Sequence, residues 1–302
     1  MPQSITLYEN MRAVAYTPFY LTIARGDWAR EGIDVSVVTS PTKQQTAQAL
    51  IDGEADVSWG GPMRVMMHHN AHAESPLVCF GQVVARDPFI LVSREPNERF
   101  RFADLIGRRV AVAIEAPTPW MTFQDDLDRA GIAPASLNRT PDQAMEENVA
   151  ALKSGAVDVI QVFEPYATKL VETGEGHIWH RFTDRGDITY TSFYTTRPFA
   201  QEHRETCTAL VRGIAAGQQA LYAETPTAIA EAIAEFFPDL TTDSLSQMID
   251  GYRASSLWAR TPALPPAAFV RLKAALISGG LIDIDPPYER LIDQDLSNAA
   301  ER

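Results

Sequence analysis

Cysteine is scarce. The 302-residue chain has only Cys79 and Cys207, so one disulfide is the most it could form. Both lie in apolar, regular-looking segments, and free buried thiols are the expectation. No apolar run approaches the ~20 residues needed to span a bilayer, which argues against a membrane bundle and against direct insertion. Basic residues are outnumbered: 26 Lys and Arg against 39 Asp and Glu leave a net charge of −13. That balance repels phosphate backbones and anionic lipid heads, so no nucleic-acid partner is expected, although a local pocket can still be positive. GxSxG, P-loop, GxGxxG and HExxH patterns are absent. His68 and His72 stand i, i+4 in MHHNAH without an evident third ligand, while His177 and His180 alternate onto opposite faces of a strand. No metal site and no cofactor is expected. Asp125 and Asp126 point different ways from one helix, so no catalytic constellation is specified. The opening MPQSITLYEN has neither a basic nor an apolar leader region. As written the chain reads as cytoplasmic, and as periplasmic if a leader has been removed.

What is present is the profile of a globular α/β protein. With 45% apolar and 22% charged residues, the chain suits two lobes of about 150 residues each. An internal echo supports that division. ALIDGEADVSWGGP (49–62) and ALKSGAVDVIQVFEP (151–165) share A-L-x-x-G-x-x-D-V at an offset of 102 residues. Upstream, WAREGI and LDRAGIA place Gly32 and Gly131 99 residues apart. Each unit reads as a βαβαβ run. In the first, SITLYE is a strand, Pro18–Glu31 a helix closed by Gly32, DVSVVT a strand, Lys43–Asp52 a helix and ADVSW a buried strand. In the second, RRVAVAI is a strand, Pro119–Ala130 and Gln143–Lys153 are helices, and VDVIQVF is a strand. Alternation of this kind predicts parallel-core sheets with helices on both faces. CFGQVVARDPFILVSREP breaks at Asp87-Pro88, HIWHRF and TYTSFYTT are strand-like, and the region after Glu202 is helical with a frayed tail after Asp293. Crossings near Arg86–Pro88 and Asp187–Thr191 assign residues 1–87 and 190–302 to one lobe, with a helical C-terminal region, and 88–189 to the other.

In open α/β sheets ligands bind beyond the carboxyl ends of the strands, where helix N-termini favour anionic or strongly polar groups. Two such lobes predict a ligand cleft between them. The loops at those positions supply the candidates. ENMRAVAYTPFY offers Arg12, Tyr16 and Phe19; WGGP offers Trp59, Gly60 and Gly61, with Pro62 opening the next helix. EAPTPW places Thr118 as an N-cap, Pro119 at the first helical position and Trp120 just inside. QVFEP offers Gln161, Phe163 and Glu164, the last able instead to cap the following helix. Arg64 and Arg86 are further cations that can equally be solvated. The aromatic content favours a flat or partly apolar small organic ligand over a bare inorganic oxyanion.

TPFYLTIARGDWAREGIDVSVV, ALIDGEADVSWGGP, FADLIGRRVAV and ALKSGAVDV together resemble the superfamily of sulfonate-, nitrate- and thiamine-precursor-binding proteins, over roughly residues 5–200. The resemblance implies a two-lobed type II periplasmic-binding-protein fold with a hinged cleft, and an ABC-transporter permease as partner. Its enzyme branches fit poorly. The aromatic sulfinate desulfinase carries a cysteine after its first strand and an arginine just before its glycine turn. Here ENMRAVAYTP has no cysteine, and Ser58 and Trp59 precede Gly60-Gly61. The thiamine-pyrimidine synthase relies on a cysteine-rich run that two scattered cysteines cannot supply. The expectation is therefore a solute-binding protein for a small organic, anionic or heteroaromatic ligand. The alternatives are a cytoplasmic enzyme acting on an aromatic or heteroaromatic acid, and a cytoplasmic ligand sensor.

Overall fold

Alternating apolar and polar residues make Gln3–Glu9 a strand, β1, that buries Ile5 and Leu7. In the computed structural model, which describes residues 3–41 and 45–301, the chain divides into two compact units. Unit 1 comprises Met1–Arg86, Asp187–Lys273 and Ile282–Arg302; unit 2 comprises Asp87–Gly186 and Ala274–Leu281.

The sheet of unit 1 runs β2-β1-β3-β10-β4, with β2 at Ile33–Thr39, β3 at Val57–Gly60, β4 at Leu77–Val84 and β10 at Thr191–Thr196. Strand β1 pairs in parallel with β2 and β3, while β10 runs antiparallel to both β3 and β4. Unit 2 repeats the plan as β7-β6-β8-β5-β9, with β5 at Ile90–Ser93, β6 at Arg109–Ala111, β7 at Asn138–Arg139, β8 at Val159–Val162 and β9 at His177–Arg181. Here β5 is the antiparallel member. Both sheets thus have a parallel core with one reversed strand in the same place.

The duplicated sequence pattern has a physical meaning. Gly53 and Gly155 adopt φ of 74° and 79°, a left-handed turn that glycine enters without strain. The aspartate three residues later then reaches the neighbouring parallel strand. Asp56 Oδ2 accepts the Thr6 N–H at 2.7 Å, and Asp158 Oδ2 accepts the Arg109 N–H at 2.8 Å. In both units one carboxylate therefore fixes strand register where a helix returns to the sheet.

Helices α1 (Thr17–Ala24), α2 (Asp27–Arg30), α3 (Thr46–Ile51) and α4 (Met63–Ala71) belong to unit 1. The helix expected over Pro18–Glu31 is instead two pieces, because Gly26 adopts φ of 67° and turns the chain. The start expected at Lys43 lies outside the described residues. Unit 2 carries α5 (Thr118–Arg129), α6 (Met145–Ser154) and α7 (Tyr166–Glu172). The strand expected over RRVAVAI is cut to Arg109–Ala111; beyond it Ala113 makes only an isolated bridge to Gln143.

The remaining chain is helical: α8 (Arg197–Glu202), α9 (Arg204–Ala223), α10 (Pro226–Ile233), α11 (Thr242–Ala254), α12 (Pro266–Ser278), α13 (Tyr288–Leu291) and α14 (Gln294–Ser297). Helix α9 lies under α1 and α2, and Trp28 donates its indole N–H to Leu210 O at 3.0 Å. The tail after Asp293 is folded rather than frayed. Asp293 accepts the Leu296 N–H at 3.0 Å as a helix cap, and Leu296 and Ala299 are buried. Helix α12 begins in unit 1, whereas its last residues and the turn to Leu281 belong to unit 2.

Candidate functional site

The parallel pairing of β1 and β3 brings their carboxyl ends to one edge of the unit 1 sheet, where β10 enters antiparallel. Trp59, at the tip of β3, is completely buried and stacks on Phe19 with centroids 4.1 Å apart and planes at 15°. Tyr16, closing a 3-10 turn at Val14–Tyr16, lies 6.3 Å from Trp59. Behind them the column of rings continues from Phe19 through Phe193 to Phe80. Phe19, expected to meet a ligand, is fully buried like Trp59 and stacks on it. The Trp59 Nε1–H is buried and has no acceptor among the described residues. An unpaired buried donor costs about 1–3 kcal/mol.

The surroundings are polar and positive. Burial pushes the Tyr16 hydroxyl up to about 12, opposed by the Arg64 charge and the Thr191 hydroxyl beside it. Burial likewise raises Tyr194 on β10, and Arg64 again opposes the shift. Both phenols are therefore neutral at physiological pH and sit in the field of one guanidinium at the first turn of α4. Gly60 and Gly61 are small for steric reasons. A Cβ on Gly60 would meet the Asn10 amide at 2.6 Å, and one on Gly61 would meet the Met63 sulfur at 2.7 Å. Asn10 in turn donates to Trp59 O at 3.0 Å and accepts from the Thr46 hydroxyl at 2.8 Å, which fixes the turn. The space beside both glycines is filled by the chain's own side chains.

Arg12 is committed elsewhere. It holds the fully buried Glu9 at 2.7 Å, with Tyr20 donating to the same carboxylate at 2.8 Å. Its guanidinium also lies 5.4 Å from the Tyr20 and Phe236 rings. Thr191 and Tyr194, absent from the sequence-based candidates, come from TYTSFYTT. All its residues but Phe193 carry hydroxyls, and the reversed placement of β10 beside β3 brings these two to this edge.

Unit 2 assembles a second set at the tips of β6 and β8. Gln161 donates to Pro119 O at 3.1 Å, tying β8 to the start of α5, and its Oε1 is buried without a donor. Thr118 is the first helical residue rather than the cap. Pro117 occupies the cap position, and the Thr118 hydroxyl makes no capping bond and is buried without a partner. The expected capping role fails because the turn begins one residue earlier. Trp120 is half-buried, edge-on to Phe123 at 5.6 Å, with the Arg139 guanidinium 4.5 Å from its ring centre. Glu115, not anticipated from the sequence, accepts the Met145 N–H at 2.9 Å with one oxygen, while the other is buried without a partner.

Phe163 packs edge-on against Phe89 at 5.0 Å. Glu164 accepts the Thr168 N–H at 2.9 Å and so caps α7; burial raises its carboxyl above the usual range. The two sets are therefore Tyr16, Trp59, Arg64, Thr191 and Tyr194 in unit 1, and Thr118, Trp120, Gln161 and Glu115 in unit 2.

Thiolate chemistry is disfavoured. Cys79 and Cys207 are free and buried, and burial pushes each thiol up to about 12. The His68 and His72 rings stack at 4.5 Å, and His68 Nδ1 lies 2.7 Å from the Ser75 hydroxyl. Among the described residues no group of three or more His, Cys, Asp or Glu could hold a metal ion, and no helix is long and apolar enough to cross a membrane.

Two sheets of matching order, each with one reversed strand and polar residues at the strand tips, define the type II periplasmic-binding-protein fold. Residues 14–228 match the family described as NMT1/THI5 like, and the chain belongs to that family. YtlA of Bacillus subtilis (strain 168), which carries the provisional name of binding protein, is 25% identical over 297 residues, 97% of this chain and 88% of that protein. The periplasmic aliphatic sulphonate binding protein SsuA from Escherichia coli has a TM-score of 0.77 at 18% identity, covering 98% of this chain and 99% of its own. The periplasmic nitrate-binding protein NrtA from Synechocystis PCC 6803 has a TM-score of 0.71 at 14% identity, covering 99% and 89%. At such identities the two solved structures share the fold.

Proposed function

We propose that the protein is a solute-binding protein of the ABC-importer type, taking a small organic anion with a flat or apolar portion. The observation that carries this reading is the buried Trp59 indole N–H, which lacks an acceptor and shares its sheet edge with two neutral phenols and Arg64. An anionic oxygen would satisfy the indole and be stabilised by the guanidinium, while the partly exposed Tyr16 ring meets the apolar part. Thr118, Trp120 and Gln161 are the candidate contacts that unit 2 offers by itself. A membrane permease is the partner in this reading, which requires the protein to act outside the cytoplasm.

Native mass spectrometry of freshly purified protein should reveal a retained small molecule. Calorimetry with a panel of sulfonates and aromatic carboxylates should then rank the ligand class. Trp59→Ala is expected to weaken the best ligand at least about tenfold, as for a buried aromatic anchor. Unchanged affinity would remove Trp59 from the site. A thiolate nucleophile has no comparable support, since burial pushes both thiols up to about 12.

A further inference from the structure

Unit 1 contains a recess of about 330 Å³ that shares no residue with the Trp59 set. Its size is at the lower end of small-molecule sites and corresponds to roughly ten water molecules. Gln82, Arg86, Tyr222, Ser256, Trp258 and Arg260 form the walls that matter here. Gln82 is 2% exposed, and its Oε1 accepts from the Thr189 hydroxyl at 3.2 Å. Its NH₂ group makes no hydrogen bond to another described residue, and the side chain lines the recess, where an occupant's oxygen can meet it.

The charge on this wall points the same way. Arg86 is neutralised by Asp187 at 2.9 Å and also donates to Ser255 O at 3.2 Å. Arg260 pairs with no carboxylate among the described residues; its guanidinium lies 4.1 Å from the centre of the Tyr222 ring. A chain of net charge −13 thus keeps one uncancelled cation here, beside an unpaired amide donor. Two aromatic residues complete the wall. Tyr222 donates its hydroxyl to Trp258 O at 2.6 Å, and Trp258 donates its indole N–H to Ala15 O at 2.7 Å, so both rings are held in place. Fixed rings, one free guanidinium and one amide donor suit a planar acid.

We infer that this recess is a second binding site, for a small carboxylate attached to a flat apolar group, distinct from the Trp59 set. Its carboxylate meets the Gln82 amide and the Arg260 guanidinium.

Benzoate is the probe, titrated by calorimetry and followed by saturation-transfer NMR, with inorganic phosphate as the comparison. Wild type should bind benzoate, and Trp59→Ala should keep the Arg260-dependent part of that binding. Arg260→Ala should weaken it at least tenfold; Arg260 is exposed, so the variant should keep its melting temperature. Gln82→Leu should also weaken it, if its melt shows that it folds. The inference is overturned if Arg260→Ala binds benzoate as wild type does, or if the loss appears in Trp59→Ala instead. It is also overturned if phosphate binds here and benzoate does not, or if wild type binds no benzoate at about 10 mM. Loss confined to the Trp59 variant would leave the proposed function standing while removing this site.

Discussion

Asp158 illustrates how much one carboxylate of the duplicated pattern contributes. The Arg109 side chain grips it at 2.6 and 3.0 Å, the Arg109 N–H adds a bond at 2.8 Å, and together they hold the carboxyl down to about 2. A carboxyl lowered in the folded state stabilises it above the unfolded value near 3.8, and that stabilisation is lost as pH falls through about 2. Asp158→Asn should therefore reduce stability at neutral pH by on the order of 1–2 kcal/mol and flatten the acid limb between about pH 4 and 2. Urea melts at stepped pH would show it, and an unaltered acid limb would mean that the pairing is not felt. At this scale the sequence was informative about residue type and weak about engagement. Trp59 stood out as a candidate because a tryptophan beside a glycine turn has few purely structural uses. Nothing in the text revealed that Arg12 would pair with Glu9, whereas the capping of α7 by Glu164 was one of the two roles the sequence offered for it. Those pairings depend on a buried acid at the end of β1 and on the exact turn into a helix.

Helix α9 approaches α1 and α2 closely because two of its residues have no side chain. A Cβ at Gly213 would lie 2.1 Å from the Trp28 ring, and one at Gly217 would lie 2.0 Å from the Thr22 hydroxyl. Gly213→Ala should overpack this contact and cost about 1–3 kcal/mol, lowering the melting temperature by several degrees. A melt unchanged within error would show that Trp28 can move aside cheaply. Helix and strand identity was readable from periodicity, and most boundaries followed from glycine and proline. The failures were local. Gly26 divides the first helix, the strand after Arg108 loses its partner beyond Ala111, and Leu296 and Ala299 anchor a tail whose polar residues had suggested fraying. The first is a local backbone turn at a glycine; in the other two a tertiary contact, or the lack of one, outweighed the local pattern.

Unit 2 is closed by an ion triad. Arg185 bonds Asp87 at 2.7 Å and Asp126 at 2.9 Å, with the Arg185 and Asp87 side chains 1% and 0% exposed. Because Asp87 opens the long segment of this unit and Arg185 nearly ends it, the triad staples the two ends together. Arg185→Met would leave two carboxylates facing each other and should cost about 3–5 kcal/mol in chemical denaturation; a loss below about 1 kcal/mol would refute the assignment. The duplication was the most legible feature of the whole molecule, since Gly53 with Asp56 and Gly155 with Asp158 repeat one turn-and-register device. What no repeat could announce is that Ala274–Leu281 joins unit 2, where Gly279 fits against Met121 and Gln124 only for want of a side chain. The backbone consequently passes from one unit to the other four times. Anyone wishing to express a unit alone cannot do so with a single pair of gene boundaries: a fragment covering residues 87–186 would be missing a piece encoded almost ninety codons downstream.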